Sequence, residues 1–93
     1  MSYIVAFYDI SDNSRRLIAA EKLQGLGFQR VQRSVYIAKG NTSLAKEAFR
    51  ALLRVIDRST DSIGVIVVPK EYMDKAMFFN SQAKVGEKPL EVL

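Results

Sequence analysis

"YIVAFYDISDNSRR", residues 3–16, carries an apolar and aromatic run that stops at a carboxylate, Asp9. Residues 3–10 are β-branched and aromatic, too few for a helix and followed by the turn-forming "SDNS", so they read as a first strand. Ser11 or Asp12 then caps a helix over about residues 13–25, with Ala19, Ala20, Leu23 and Leu26 on one face. "QGLGF" ends that helix, Gly25 or Gly27 being free to take a left-handed backbone.

Working outward, "FQRVQRSVYIAKG" (residues 28–40) reads as one bent strand or two short ones. Alternation puts Arg30, Gln32, Ser34 and Tyr36 on one face and Val31, Val35 and Ile37 on the other. "NTS" at 41–43 caps a second helix over roughly 43–58, its Ala45, Ala48, Phe49, Leu52 and Ile56 facing the core, and "DRSTDS" closes it. Residues 62–68 form a further strand, which Pro69 ends because proline lacks the ladder N–H. "EYMDKAMFFN" suits a short helix or a strand, and a small extra strand is open for Leu90–Leu93.

The order of elements is that of an α+β, ferredoxin-like βαββαβ sandwich, a single domain over residues 1–93 with its core in about 3–68. In this plan both helices cover one face of the sheet, so the central strands should alternate apolar with polar. They do not: residues 3–8 and 63–68 are apolar or aromatic on both faces. A second copy packed sheet to sheet about a twofold axis is the economical cover, which predicts a face-to-face homodimer.

The composition narrows the chemistry. The 48% hydrophobic content argues against disorder. No apolar run approaches the roughly 20 residues of a membrane span, and the start of the sequence lacks a signal-peptide pattern. The expectation is a cytoplasmic protein with no membrane partner. There is no cysteine and no histidine, which removes disulfides, thiolate or imidazole zinc sites and every imidazole base. Catalysis would rest on Asp, Glu, Lys, Arg, Tyr or Ser, and a bound metal would be a hard, oxygen-liganded Mg2+ or Mn2+. A net charge of +4 and a pI near 9.6 point toward nucleic acid or another polyanion.

Asp9 ends the first strand, where a face-to-face dimer brings it near its symmetry mate. Two carboxylates about 6 Å apart at an effective dielectric near 20 repel by roughly 3 kcal/mol. Such a pair calls for a divalent cation, a shared proton or cationic neighbours. The alternative is a surface carboxylate with a local capping or salt-bridge role. Arg16 faces inward from the first helical turn, able to hold a phosphate or to pair with Asp9, while Arg15 lies about 100° further round. Asp12 is better read as a helix cap than as a second catalytic carboxylate. Arg30 and Arg33, among Gln29, Gln32, Ser34 and Tyr36, suit phosphate and single-strand contacts or an ordinary solvated edge. Lys46, Arg50, Arg54 and Arg58 recur every fourth residue, a stripe of like charge that is slightly unfavourable without an anion. It reads as a nucleic-acid backbone contact or as a solvated face.

"YDISDNSRR" after an apolar strand, with "GF" and "VQRSVY" after one helix, resembles the second of the two universal CRISPR-associated families, the small adaptation protein. The similarity runs over about residues 3–68. It implies a ferredoxin-like homodimer, a metal-dependent endonuclease on RNA or DNA, and a partner of the CRISPR integrase in spacer acquisition. The family's metal-binding aspartate corresponds to Asp9, contributed by both protomers. Tyr8 and Arg16 fall on further motif positions expected at the catalytic site. Ser34 and Tyr36 fall on others and are taken, with Arg15, Arg30, Arg33 and the helix-two cations, as nucleic-acid contacts. The tail, 69–93, is expected to exchange a strand with the partner. A noncatalytic nucleic-acid scaffold, or an endoribonuclease like the toxins that share the fold, is the alternative function.

Overall fold

The structure, a computed structural model, describes residues 1–81. Its elements are β1 (Ser2–Asp9), α1 (Asn13–Gly25), β2 (Gln29–Gln32), β3 (Val35–Lys39), α2 (Thr42–Leu53), β4 (Ser62–Pro69) and α3 (Lys70–Met73). The four strands form one antiparallel sheet in the order β2-β3-β1-β4. The predicted ferredoxin-like plan is therefore present, with β1 central. β1 pairs with β3 from Tyr3↔Lys39 to Phe7↔Val35 and with β4 from Ser2↔Pro69 to Asp9↔Ser62.

Alternation along β1 sorts its side chains into two cores. Ile4, Ala6 and Tyr8 join Tyr36 and Ala38 of β3 beneath Ala19 and Leu23 of α1 and Ala45, Ala48 and Leu52 of α2. The alanines let both helices approach the sheet closely. Asp12 caps α1, its carboxylate accepting the Arg15 N–H at 3.0 Å, and Asn41 caps α2 by accepting from Ser43 N–H at 3.0 Å. After α1 the chain reverses through Gly27, whose φ of 94° is left-handed.

The structure settles or changes four expectations. First, the 28–40 stretch is two strands, and a bulge between Arg30 and Gln32 brings Gln32 opposite Val35 instead of in step with Arg30. Second, α2 ends at Leu53 and not near 58. The Asp57 carboxylate accepts Ser59 N–H at 2.9 Å and Asp61 accepts Asp57 N–H at 2.9 Å, so the backbone finds non-helical partners. Ile56 still packs on the core from beyond the helix, but Phe49 is exposed. Third, "EYMDKAMFFN" begins as a helix, α3, and folds back across the sheet. Fourth, this segment covers part of the face assigned to a second copy: Met73, Ala76 and Phe78 pack with Tyr3, Val31, Ile37, Val35 and Val68.

Among the described residues this cover follows the β2–β3 side, where Asn80 donates to the Val31 carbonyl at 3.2 Å, and on the β1–β4 side it leaves Phe7 and Ile66 38% and 51% exposed. The Phe7 ring lies across Gly64, its cross-strand partner, where any side chain would collide with it. No helix among the described residues is long and apolar enough to cross a membrane. The strand expected at Leu90–Leu93, and with it the exchanged tail, lies outside the described residues.

Candidate functional site

Asp9 is the last residue of β1, paired across the sheet with Ser62 and on the same face as Val5, Phe7 and Ile66. It is exposed. Among the described residues its carboxylate makes no recorded hydrogen bond or ion pair.

Tyr8, expected beside Asp9 in catalysis, points the opposite way because successive strand residues alternate. It is 7% exposed and belongs to the helix-side core. Its hydroxyl lies 3.3 Å from that of Tyr36, and the two rings stack with centroids 5.9 Å apart. Tyr36, expected to meet nucleic acid, is fully buried. Burial pushes its phenol well above the ordinary value, the hydrogen bond to Tyr8 adding to the shift. Both tyrosines are core residues here, closed off from a substrate at Asp9.

The two arginines of α1 divide the work differently from expectation. Arg16 turns back toward the end of β1, donating from Nη1 to the Ile10 carbonyl at 2.9 Å and from Nη2 to Asn13 Oδ1 at 3.2 Å. It pairs with main chain, not with Asp9. Arg15, assigned to nucleic acid, is engaged by Asp61 instead, through Nε to Oδ2 at 3.0 Å and Nη2 to Oδ1 at 3.3 Å. The Asp61 side chain exposes no surface. It also accepts from Ser11 N–H at 3.1 Å, Asp57 N–H at 2.9 Å and the Thr60 hydroxyl at 2.9 Å. The Arg15 guanidinium, followed by these amides, holds the Asp61 carboxyl far below the usual carboxylate range against the cost of desolvation.

The remaining cations spread over two places. Arg30 on β2 and Arg33 in the β2–β3 turn are exposed. That turn lies at the Asp9 end of the sheet, since the half-buried Ser34 accepts the Tyr8 N–H through its carbonyl at 3.2 Å. Lys46 and Arg50 are exposed on α2, where with Ala45, Phe49 and Val65 they line an open groove. Arg54 caps α2 and lines the cleft between the helices with Glu21, Lys22 and Glu47. Arg58 lies past the end of α2, in the loop, so the predicted stripe of four is three on the helix and its cap.

The sequence profile of the family described as CRISPR associated protein Cas2 matches residues 1–76. The chain is also 48% identical over 92 residues to the CRISPR-associated endoribonuclease Cas2 of Aeropyrum pernix, a match covering 99% of this chain and 100% of that one. This chain belongs to the Cas2 family. A CRISPR-associated endonuclease Cas1/endonuclease Cas2 fusion of Thermoproteus tenax is 31% identical over 88 residues, 95% of this chain and 33% of the fusion. The crystal structure of Streptococcus pyogenes Cas2 at pH 6.5 is similar in fold, with a TM-score of 0.68 at 21% identity over 84% of this chain and 99% of that one.

Within this Cas2 fold, the Asp61 clamp is the feature that motif reading missed. "DRSTDS" looks like a loop that merely closes a helix. The available signal was register: once β1 and β4 pair antiparallel through Asp9↔Ser62, the residues just outside the ladder, Ile10 and Ser11 on one side and Asp61 on the other, must meet.

Proposed function

We propose that this Cas2 chain acts as a nucleic-acid-binding homodimer that scaffolds the CRISPR integrase during spacer acquisition, with metal-dependent endonuclease chemistry where two copies meet. The observation that carries this reading is Asp9: an exposed carboxylate without a protein partner among the described residues, on the part of the sheet face that residues 70–80 leave open. Phe7 and Ile66 supply exposed apolar surface for a second copy on that face. Twofold packing there brings the Asp9 of each copy to the seam.

A carboxylate is the kind of oxygen donor that a hard cation takes. Among the described residues of one protomer no three acidic side chains converge, so an Mg2+ or Mn2+ ion would need Asp9 from both copies, with water and phosphate oxygens completing its shell. When bound, such an ion supplies charge stabilisation at a phosphodiester and a lowered pKa for a water. Arg33, at the same end of the sheet, is suited to hold a phosphate of the strand being cut. Arg16 fixes the main chain after Asp9 through the Ile10 carbonyl. The name of the Aeropyrum relative makes RNA the first substrate to try, and the name of the fusion, which joins an endonuclease Cas1 to its Cas2 part in one chain, supports a CRISPR-associated enzyme as the partner. We assign the protein to the cytoplasm, where such substrates are met.

The test is cleavage of RNA and DNA with magnesium, with EDTA and by Asp9→Ala. Asp9→Ala is expected to lose metal-dependent cleavage while remaining dimeric. Undiminished cleavage by that variant, in a preparation free of contaminating nuclease, overturns the catalytic part.

A second reading, a noncatalytic scaffold, is favoured by the exposed cations along α2. Here Asp9→Ala leaves DNA-dependent assembly unchanged, whereas reversing Lys46 and Arg50 weakens binding and flattens its salt dependence by about one unit of slope per lost phosphate contact. An unaltered salt slope in that variant removes α2 from the interface.

A further inference from the structure

The main chain just after Asp9 is gripped from two sides. On one, Arg16 donates to the Ile10 carbonyl at 2.9 Å. On the other, Asp61 accepts the Ser11 N–H at 3.1 Å and the Ser11 hydroxyl at 3.2 Å. Asp61 is itself fixed by Arg15, by the Asp57 amide and by Thr60. It immediately precedes Ser62, the cross-strand partner of Asp9. A carboxylate that accepts this many donors with no exposed surface is held in one orientation, so it ties the β1–α1 loop to the start of β4.

We propose that Asp61, acting through Arg15 and Ser11, is a positioning residue that presents the Asp9 carboxylate to its metal. The inference rests on the reading of Asp9 as a metal ligand. Its physical basis is that an exposed ligand contributes affinity only if its backbone is already held in the binding geometry. Asp9 has no hydrogen-bond partner of its own recorded among the described residues to hold it. The orientation must therefore come through the chain, and the Asp61 clamp is the tertiary contact that meets the chain two residues later. Arg15 is thereby a support for the loop, with its guanidinium committed to protein and not to phosphate.

The experiment measures Mn2+ binding by the electron paramagnetic resonance of the free ion, alongside the magnesium dependence of cleavage. Four dimeric proteins are compared: wild type, Asp9→Ala, Asp61→Asn and Ile4→Val. Ile4 lies in the core near the far end of β1 and serves as a control for lost stability without a change at the clamp. Asp61→Asn is expected to weaken Mn2+ binding by about 10-fold, the loss typical when a ligand's supporting partner is removed. The half-saturating magnesium concentration should rise by the same factor, and cleavage at saturating magnesium should return to near the wild-type rate. Ile4→Val should leave both metal readouts unchanged. Wild-type Mn2+ affinity in Asp61→Asn, or an equal loss in Ile4→Val, overturns the positioning role while Asp9 stands as ligand. Wild-type Mn2+ affinity in Asp9→Ala overturns the ligand reading and this inference with it. If Asp61→Asn does not fold, Arg15→Gln carries the same expectation, since it removes two of the donors that orient Asp61.

Discussion

Tyr8 and Asp9 are neighbours in the chain, yet one is sealed beneath two helices and the other stands on a face that the protomer only half covers. The helix-side face is closed over β1 and β3, where Ile4, Leu23, Tyr36 and Leu52 are fully buried, and among the described residues no buried side-chain polar atom lacks a partner; it opens at the edge strand β4, where Val67 is 41% exposed. Among the described residues the far face is covered where Met73, Ala76 and Phe78 cross it. On its β1–β4 side it shows Phe7 and Ile66, apolar and exposed. The difference separates what one copy needs in order to fold from what it holds ready for something else.

That separation is tested most severely by putting a charge on the open face. In the proposed dimer, Ile66→Asp buries an unpaired carboxylate twice, once per copy, at about 1–3 kcal/mol each. Sedimentation velocity should show the dimer weakened by about 100-fold or more, with the circular dichroism of the protomer unchanged because Ile66 is half exposed already. A variant that stays dimeric at micromolar concentration shows that the open face is not the seam.

The closed face should respond in the opposite sense. Leu52→Ala removes a fully buried side chain between α2 and the sheet. Made in the Ile66→Asp background, it should lower the stability of the protomer by about 2–5 kcal/mol in urea denaturation. Ile66→Ala, measured on the isolated protomer, should cost far less. Equal costs at the two positions would mean that the faces do not differ as described.

Tyr36→Phe sharpens the contrast at smaller scale. It removes one hydroxyl of the buried pair and leaves that of Tyr8 without its partner, at about 1–2 kcal/mol of stability. Because the ring is closed off from solvent, nucleic-acid affinity should stay within about twofold of wild type, read by fluorescence anisotropy at fixed salt. A tenfold loss of affinity with an unchanged melting temperature would return Tyr36 to the nucleic-acid interface where motif reading put it.

These contrasts also show why some of the molecule was legible in the sequence and some was not. β1, α1 and the turn at Gly27 were readable because their causes are local: a β-branched run, Asp12 at the cap and a glycine at positive φ. The need for cover on both faces of the sheet was readable from the missing alternation in residues 3–8 and 63–68. What supplies that cover was not, since the fold-back of residues 70–80 depends on contacts with Tyr3, Val31 and Ile37, distant in sequence. Asp9 was legible as the end of a strand. The burial of Tyr8 and Tyr36 was not legible because a motif records that residues occur together, whereas strand alternation decides which face each one meets. The early stop of α2 and the capture of Arg15 share one cause, the carboxylates of Asp57 and Asp61, whose partners are set by tertiary structure.

The smallest predicted effect concerns that clamp and its pH dependence. The folded-state pKa of Asp61 lies below the ordinary carboxylate value of about 3.9, chiefly because of the Arg15 hydrogen bond, with the Asp57 and Ser11 amides and Thr60 adding to it. For a depressed pKa, the unfolded chain takes up the proton first as acid is added. The contribution to stability is thus fully present above about pH 4 and is lost as pH falls through the folded value. Asp57 is held down chiefly by Ser59, a contact that Asp61→Asn leaves in place, and Arg15 stays charged throughout. Wild type should therefore melt above Asp61→Asn at pH 6, and the gap should narrow as pH drops from 4 toward 2. A gap that stays constant over that range would mean that the Asp61 charge is not what ties the β1–α1 loop to the start of β4, leaving the Asp9 end of the open face to be held by Arg16 and the β1–β4 ladder alone.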